Sequence, residues 1–168
     1  MKPDLRILIV AAAMAASAPL ALAQTTPDLP PAKPAAPQVD YHPSLGDLMT
    51  MAVQPRHIKL WLAGKEKNWI YAAYELSELK GSLARVGRTI PQYRNMNISE
   101  LVAASTEQPI AALDAAIRAK DGSAFIKAYG ALTEGCNSCH QSGEHPMVVV
   151  KVPEGKAFPD QDFRPPAH

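Results

Sequence analysis

The segment DGSAFIKAYGALTEGCNSCHQ, Asp121 to Gln141, places Phe125, Ala128, Tyr129, Leu132, Cys136, Cys139 and His140 at steps of mostly three and four. Steps of that size keep side chains on one face of a helix. Asp121 stands where an N-cap belongs, because a short carboxylate can accept from the free amides of the first turn. A helix with so continuous an apolar stripe cannot bury it alone, so the chain must supply partners.

Three partners are legible upstream. Ser44 caps a first helix through Leu45, Leu48, Met49, Ala52 and Val53. Pro55 lacks a backbone donor and should kink it, after which it resumes through Ile58, Leu60, Trp61 and Leu62, with Gly64 as its stop. Asn68 caps a second helix carrying Trp69, Ile70, Ala73, Tyr74, Leu76, Leu79 and Leu83; Gly87 to Met96 then reads as a loop. Asn97 with Glu100 forms a capping-box signature for a third, through Leu101, Val102, Ile110, Leu113 and Ile117, with a kink expected at Pro109. Only Met147–Val152 looks extended. The fold class is therefore all-α, an antiparallel four-helix bundle over residues 44–141 with extended segments at both ends.

Those ends are not part of the bundle. Lys2 and Arg6 precede an apolar run from Ile7 to the small-residue exit Ala21-Leu22-Ala23, which reads as a secretory signal peptide over residues 1–23. An uncleaved anchor is the alternative, although the run is short, alanine-rich and contains Pro19. Residues 24–43 carry prolines at 27, 30, 31, 34, 37 and 43, a density that favours an extended linker. Residues 142–168 form an extended tail with five prolines and the apolar residues Val148–Val150, Phe158 and Phe163, suited to wrapping a helix face.

Charge excludes more than it assigns. The 17 basic and 16 acidic residues leave a net charge of +1. Removing Lys2, Arg6 and Asp4 with the leader leaves 15 of each. A neutral exported chain is not a nucleic-acid binder driven by net charge, and stable membrane insertion is not expected once the leader is gone.

The two cysteines of the chain are too few for a disulfide scaffold, and both fall in Cys136-Asn-Ser-Cys139-His140. C-x-x-C-H is the attachment signature of a c-type haem. Thiols three apart on a helix project from one face and reach the two vinyl groups of one porphyrin. The next residue then offers an imidazole to the iron. The expected cofactor is thus one covalently attached haem c, with Cys136 and Cys139 as thioethers and His140 as proximal iron ligand. Three alternatives use the same residues. A thioredoxin-like pair would follow a strand, and none is predicted. Zinc would need Cys136, Cys139, His140 and His145 together. The third is a plain disulfide.

With that motif at the end of a last helix, the chain resembles the class II c-type cytochromes, cytochrome c-prime and its low-spin relatives. The segments LGDLM (Leu45–Met49), RHIKLW (Arg56–Trp61), NWIYAAYEL (Asn68–Leu76) and CNSCH are similar to a little-characterised group of exported bacterial monohaem cytochromes. The chain departs from class II in carrying 28 residues after His140. The resemblance implies that the first helix faces the distal side of the iron. Met49, near the centre of that helix's apolar face, is the first candidate for distal ligand, with Met51 and His57 as alternatives and core filling as the plain reading of any methionine. Arg56 and Lys59 are candidate partners for the haem propionates. Trp61, Trp69, Tyr71, Tyr74, Phe125 and Tyr129 sit on helices that would enclose the group, with ordinary core packing as the alternative.

A six-coordinate iron implies a non-enzymatic carrier of single electrons between periplasmic redox proteins. An open distal site implies instead a protein that binds small gases such as NO or CO. A third expectation is an accessory subunit of a larger redox complex with the proline-rich ends as docking arms. The resemblance leaves a homodimer open.

Overall fold

Each expected N-cap is made by the side chain read into it. Ser44 Oγ accepts from the Asp47 amide at 3.1 Å, and the Asp47 carboxylate accepts from the Ser44 amide at 2.9 Å. Asn68 Oδ1 accepts from Tyr71 N–H and Asn97 Oδ1 from Glu100 N–H, both at 3.2 Å. Asp121 Oδ1 accepts from the amides of Ser123 and Ala124 at 2.9 and 3.0 Å. Each bond satisfies an amide that the first turn cannot pair internally.

The computed structural model describes residues 40–155, 157, 158 and 161–166. The expected leader and residues 24–39 of the expected linker lie outside the described residues. Tyr41–His168 is one unit, built from α1 (Leu45–Leu48), a π-helical turn (Met49–Val53), α2 (Gln54–Lys65), α3 (Trp69–Thr89), α4 (Ile98–Ala119) and α5 (Gly122–Ser142). The fold is mostly helical, as the hydrophobic spacing predicts. Helices α4 and α5 pack together most extensively, followed by α2 with α3 and α3 with α4; α2 also meets α5. Tyr129, Phe125, Leu60, Leu79, Leu113, Leu132 and Val86 are its largest fully buried side chains.

Three local readings change. The first helix does not simply kink at Pro55. The proline cannot donate to the Met51 carbonyl, and its ring would crowd it. The ladder widens instead, so that the Gln54 amide reaches back five residues to the Met49 carbonyl. Gly64 does not stop the helix either. It lies inside the last turn because a Cβ there would enter the Phe125 ring, and the left-handed residue beyond the end is Lys67, with φ 57°. The third change concerns α3, which runs through Gly87 to Thr89. The expected loop shrinks to a small hairpin, β1 (Gln92–Tyr93) paired antiparallel with β2 (Met96–Asn97). Helix α4 passes without interruption through Pro109.

The tail lies on the helices. It runs without regular secondary structure over Val148–Glu154. Farther on, the Phe158 ring lies 4.8 Å from Lys59 Nζ, and Phe163 stacks on Tyr71 at 5.5 Å between ring centroids. Asn68 Nδ2 donates to the Arg164 carbonyl at 3.0 Å. The chain thus returns from the end of α5 to the start of α3. No helix among the described residues is long and apolar enough to cross a membrane.

Candidate functional site

The π-turn decides which side chains of the first helical segment meet the motif. On a regular α-helix, positions 49 and 57 lie about 80° apart, whereas absorbing one extra residue takes out about 100° and brings them within about 20°. Met49, Val53 and His57 accordingly share one wall of a cavity of about 320 Å³. Cys136, Cys139 and His140 of α5 form another wall, and Leu83 of α3 with Val102 and Thr106 of α4 close the interior side. Val148–Lys151 and Pro153 complete the lining from the tail. A wider depression of about 670 Å³ between α3 and α4 holds none of the motif residues. Of the two, only the smaller cavity is lined by the motif residues.

Both cysteines are free thiols. Burial, and to a lesser degree the neighbouring Cys139, pushes the Cys136 thiol up to about 11. Burial raises Cys139 too, against a hydrogen bond with Ser105. Reactive redox cysteines show the opposite shift, and the element directly before α5 is the helix α4, not a strand, so the thioredoxin reading finds no support here. Among the described residues no three His, Cys, Asp or Glu side chains converge as a metal-binding group, which leaves the zinc reading without a geometry.

His140 Nδ1 lies 2.8 Å from the Val148 carbonyl. A carbonyl only accepts, so Nδ1 is the donor, and the neutral tautomer that makes this bond carries its lone pair on Nε2. Two thiols, a nitrogen donor of defined tautomer and a thioether thus border one cavity whose other walls are largely aliphatic. This donor set fits a haem c.

The expected alternatives to Met49 fare differently. Met51 is 71% exposed and does not line the cavity. His57 lines it but is buried, and its ring is engaged on both sides. Tyr129 Oη lies 2.9 Å from His57 Nδ1 and 2.8 Å from the His57 carbonyl. Thr133 Oγ1 lies 3.1 Å from Nε2 and 3.0 Å from the Tyr129 carbonyl. If both hydroxyls donated to carbonyls, both ring nitrogens would have to donate and the ring would be cationic. Burial opposes this and lowers the His57 pKa to about 4. The neutral ring therefore accepts a hydrogen bond from one of the two hydroxyls. His57 is a fixed buried residue, not a free donor.

Arg56 and Lys59, the expected propionate partners, are not among the residues that line the cavity. Residue 56 is about 100° and residue 59 about 160° around the helix from His57. Arg56 instead approaches Glu78 at 3.6 Å, and Lys59 covers Phe158. The basic residue that lines the cavity is Lys151. Of the aromatic residues, Trp61, Trp69, Phe125 and Tyr129 pack on one another, with Trp61–Tyr129 at 4.9 Å and Phe125–Tyr129 at 6.1 Å. None of them lines the cavity, so the core reading of these aromatics holds.

Two further features escaped the sequence reading. Asn137, between the cysteines, pairs with the backbone of Val150, which nothing in its helical spacing indicates. Glu75 is buried with Oε2 unpartnered. Burial raises its pKa against the pull of Arg56 and Lys59. Its position on the Ala72–Leu76–Leu79 stripe of α3 was the available signal. No family model, curated protein or solved structure matches the chain.

Proposed function

We propose that this chain is an exported, single-haem c-type cytochrome of the class II kind, an antiparallel four-helix bundle that passes single electrons between periplasmic redox proteins. The observation that carries the reading is the His140 hydrogen bond. A ring whose Nδ1 proton is held by the Val148 carbonyl keeps Nε2 free for iron, directly beside two free thiols on the same cavity. Cys136 and Cys139 would hold the group covalently, and His140 would ligate its iron. Met49, which lines the same cavity, would supply a thioether to that iron. When bound, the haem supplies a one-electron couple, and a thioether ligand tends to raise its potential. Aliphatic side chains at Val53, Leu83 and Val102 keep water from that couple, and Lys151 offers a positive charge at the cavity edge.

Expression of the full chain in a bacterium competent for covalent haem attachment tests this. The protein is expected to retain haem through denaturing electrophoresis and to gain the mass of one haem. Cys136→Ala with Cys139→Ala should abolish both. The ferric protein should be low-spin, and Met49→Ala should convert it to an open site that binds carbon monoxide. A high-spin wild type that takes up carbon monoxide readily would favour the gas-binding reading. An unchanged spectrum in Met49→Ala would remove Met49 as ligand.

A further inference from the structure

The segment that closes the cavity from outside is neither helix nor strand, so its backbone groups need partners elsewhere. Two residues of the C-x-x-C-H motif provide them. Asn137 Nδ2 donates to the Val150 carbonyl at 3.0 Å, while the Val150 amide donates to Asn137 Oδ1 at 2.7 Å. A side-chain amide carries a donor and an acceptor in one plane, and here it satisfies both polar groups of one residue, as a neighbouring strand would. Two residues before Val150, the Val148 carbonyl accepts from His140 Nδ1. Asn137 and His140 are three apart on α5 and so share a face. The tail crosses that face with alternate carbonyls bound to it.

We propose that Asn137 is the positioning residue of the proximal side. By latching the tail at Val150 it holds the Val148 carbonyl on His140, and so sets the tautomer and orientation of the ligand ring. The inference rests on the haem reading above and deepens it, since it assigns the 28-residue extension a place in the site. Residues 148–153 become a strap over the cavity, and the motif residue that varies freely in C-x-x-C-H becomes its catch. Without the latch the Val148 carbonyl has no fixed place. The His140 Nδ1–H then donates to solvent, and the ring loses the bond that orients it. Anchors farther along the tail, at Phe158, Phe163 and Arg164, do not replace the latch, because they act on residues eight or more positions beyond Val150.

The test uses the haem-loaded full chain in its reduced form, with solvent exchange of the His140 ring N–H and the Val150 amide followed by NMR. In Asn137→Ala both protons are expected to exchange about tenfold faster or more, and together, as for one local opening. Asn137→Asp keeps the acceptor for the Val150 amide but loses the donor to its carbonyl, and should fall between. Val150→Pro removes the amide donor from the tail side without touching α5. It should speed His140 exchange as Asn137→Ala does, and it serves should the latter fail to fold. Faster Val150 exchange with the His140 ring N–H unmoved in Asn137→Ala, or an unmoved His140 ring N–H in Val150→Pro, would overturn the positioning role and leave a plain tail anchor. A wild-type protein whose mass shows no covalent haem would overturn the haem reading itself, before any variant is made.

Discussion

Replacing Gly135 by alanine is expected to lower folding stability by about 2 kcal/mol, the balance of about 3 kcal/mol of overpacking against about 1 kcal/mol of gained helix propensity. Replacing Gly130 on the same helix should stabilise by up to about 1 kcal/mol. A Cβ on Gly135 would run into the backbone carbonyl oxygen of Ser105, whereas one on Gly130 meets nothing within 4 Å. A backbone oxygen in α4 cannot turn aside as a side chain can. Relief must come from separating α4 and α5, the most extensively packed pair. Cys136 is the next residue, so that separation would also displace the thiols from the cavity. Urea denaturation of both variants and the wild type measures the difference. Equal midpoints for the two alanine variants would show that the α4–α5 crossing is looser than the structure has it.

Acidification should cost stability through His57. An ordinary histidine has a pKa near 6.5, and burial lowers that of His57 to about 4. Between these values the unfolded chain takes up a proton that the native ring refuses. Stability is therefore fully present above pH 6.5 and is lost as pH falls towards 4, by roughly 3 kcal/mol in all. Denaturation midpoints at pH 7, 5.5 and 4.5 should fall accordingly. In His57→Gln, which has no proton to gain, that share of the decline should vanish while the decline from other groups remains. Wild type and variant falling in parallel would mean that the buried ring is not the acid-sensitive group. The ring's tight engagement with Tyr129 and Thr133 makes the variant less stable at neutral pH, so the comparison is of slopes and not of starting values.

The helices were legible because helix starts are local. Ser44, Asn68, Asn97 and Asp121 each act on an amide two or three residues away, and no distant residue is needed to make the bond. The motif was legible for a similar reason, since spacing alone puts both thiols and the imidazole on one side of α5. Glycine was harder to read. Gly64 looks like a stop but is a gap for Phe125, sixty-one residues away, and Gly87 sits in the last turn of α3 against Ser99 of α4.

The basic residues show the same limit. Arg56 and Lys59 flank His57 in sequence, yet side chains two residues or fewer apart on a helix point in different directions, and a π-turn changes which direction faces the site. The cation at the cavity came from Lys151, in a segment with no helical period to assign it a face.

By itself, then, the sequence determined where the helices begin, that they are amphipathic, and that two thiols and a histidine stand together on the last of them. These follow from steric and hydrogen-bonding rules that act within one or two turns. Only the tertiary structure decided that Met49 shares a wall with His57, that His57 is held by Tyr129 and Thr133, and that the tail closes the cavity through Asn137 and His140. Each depends on a contact between segments whose relative phase is set by packing, and packing is a property of the whole chain.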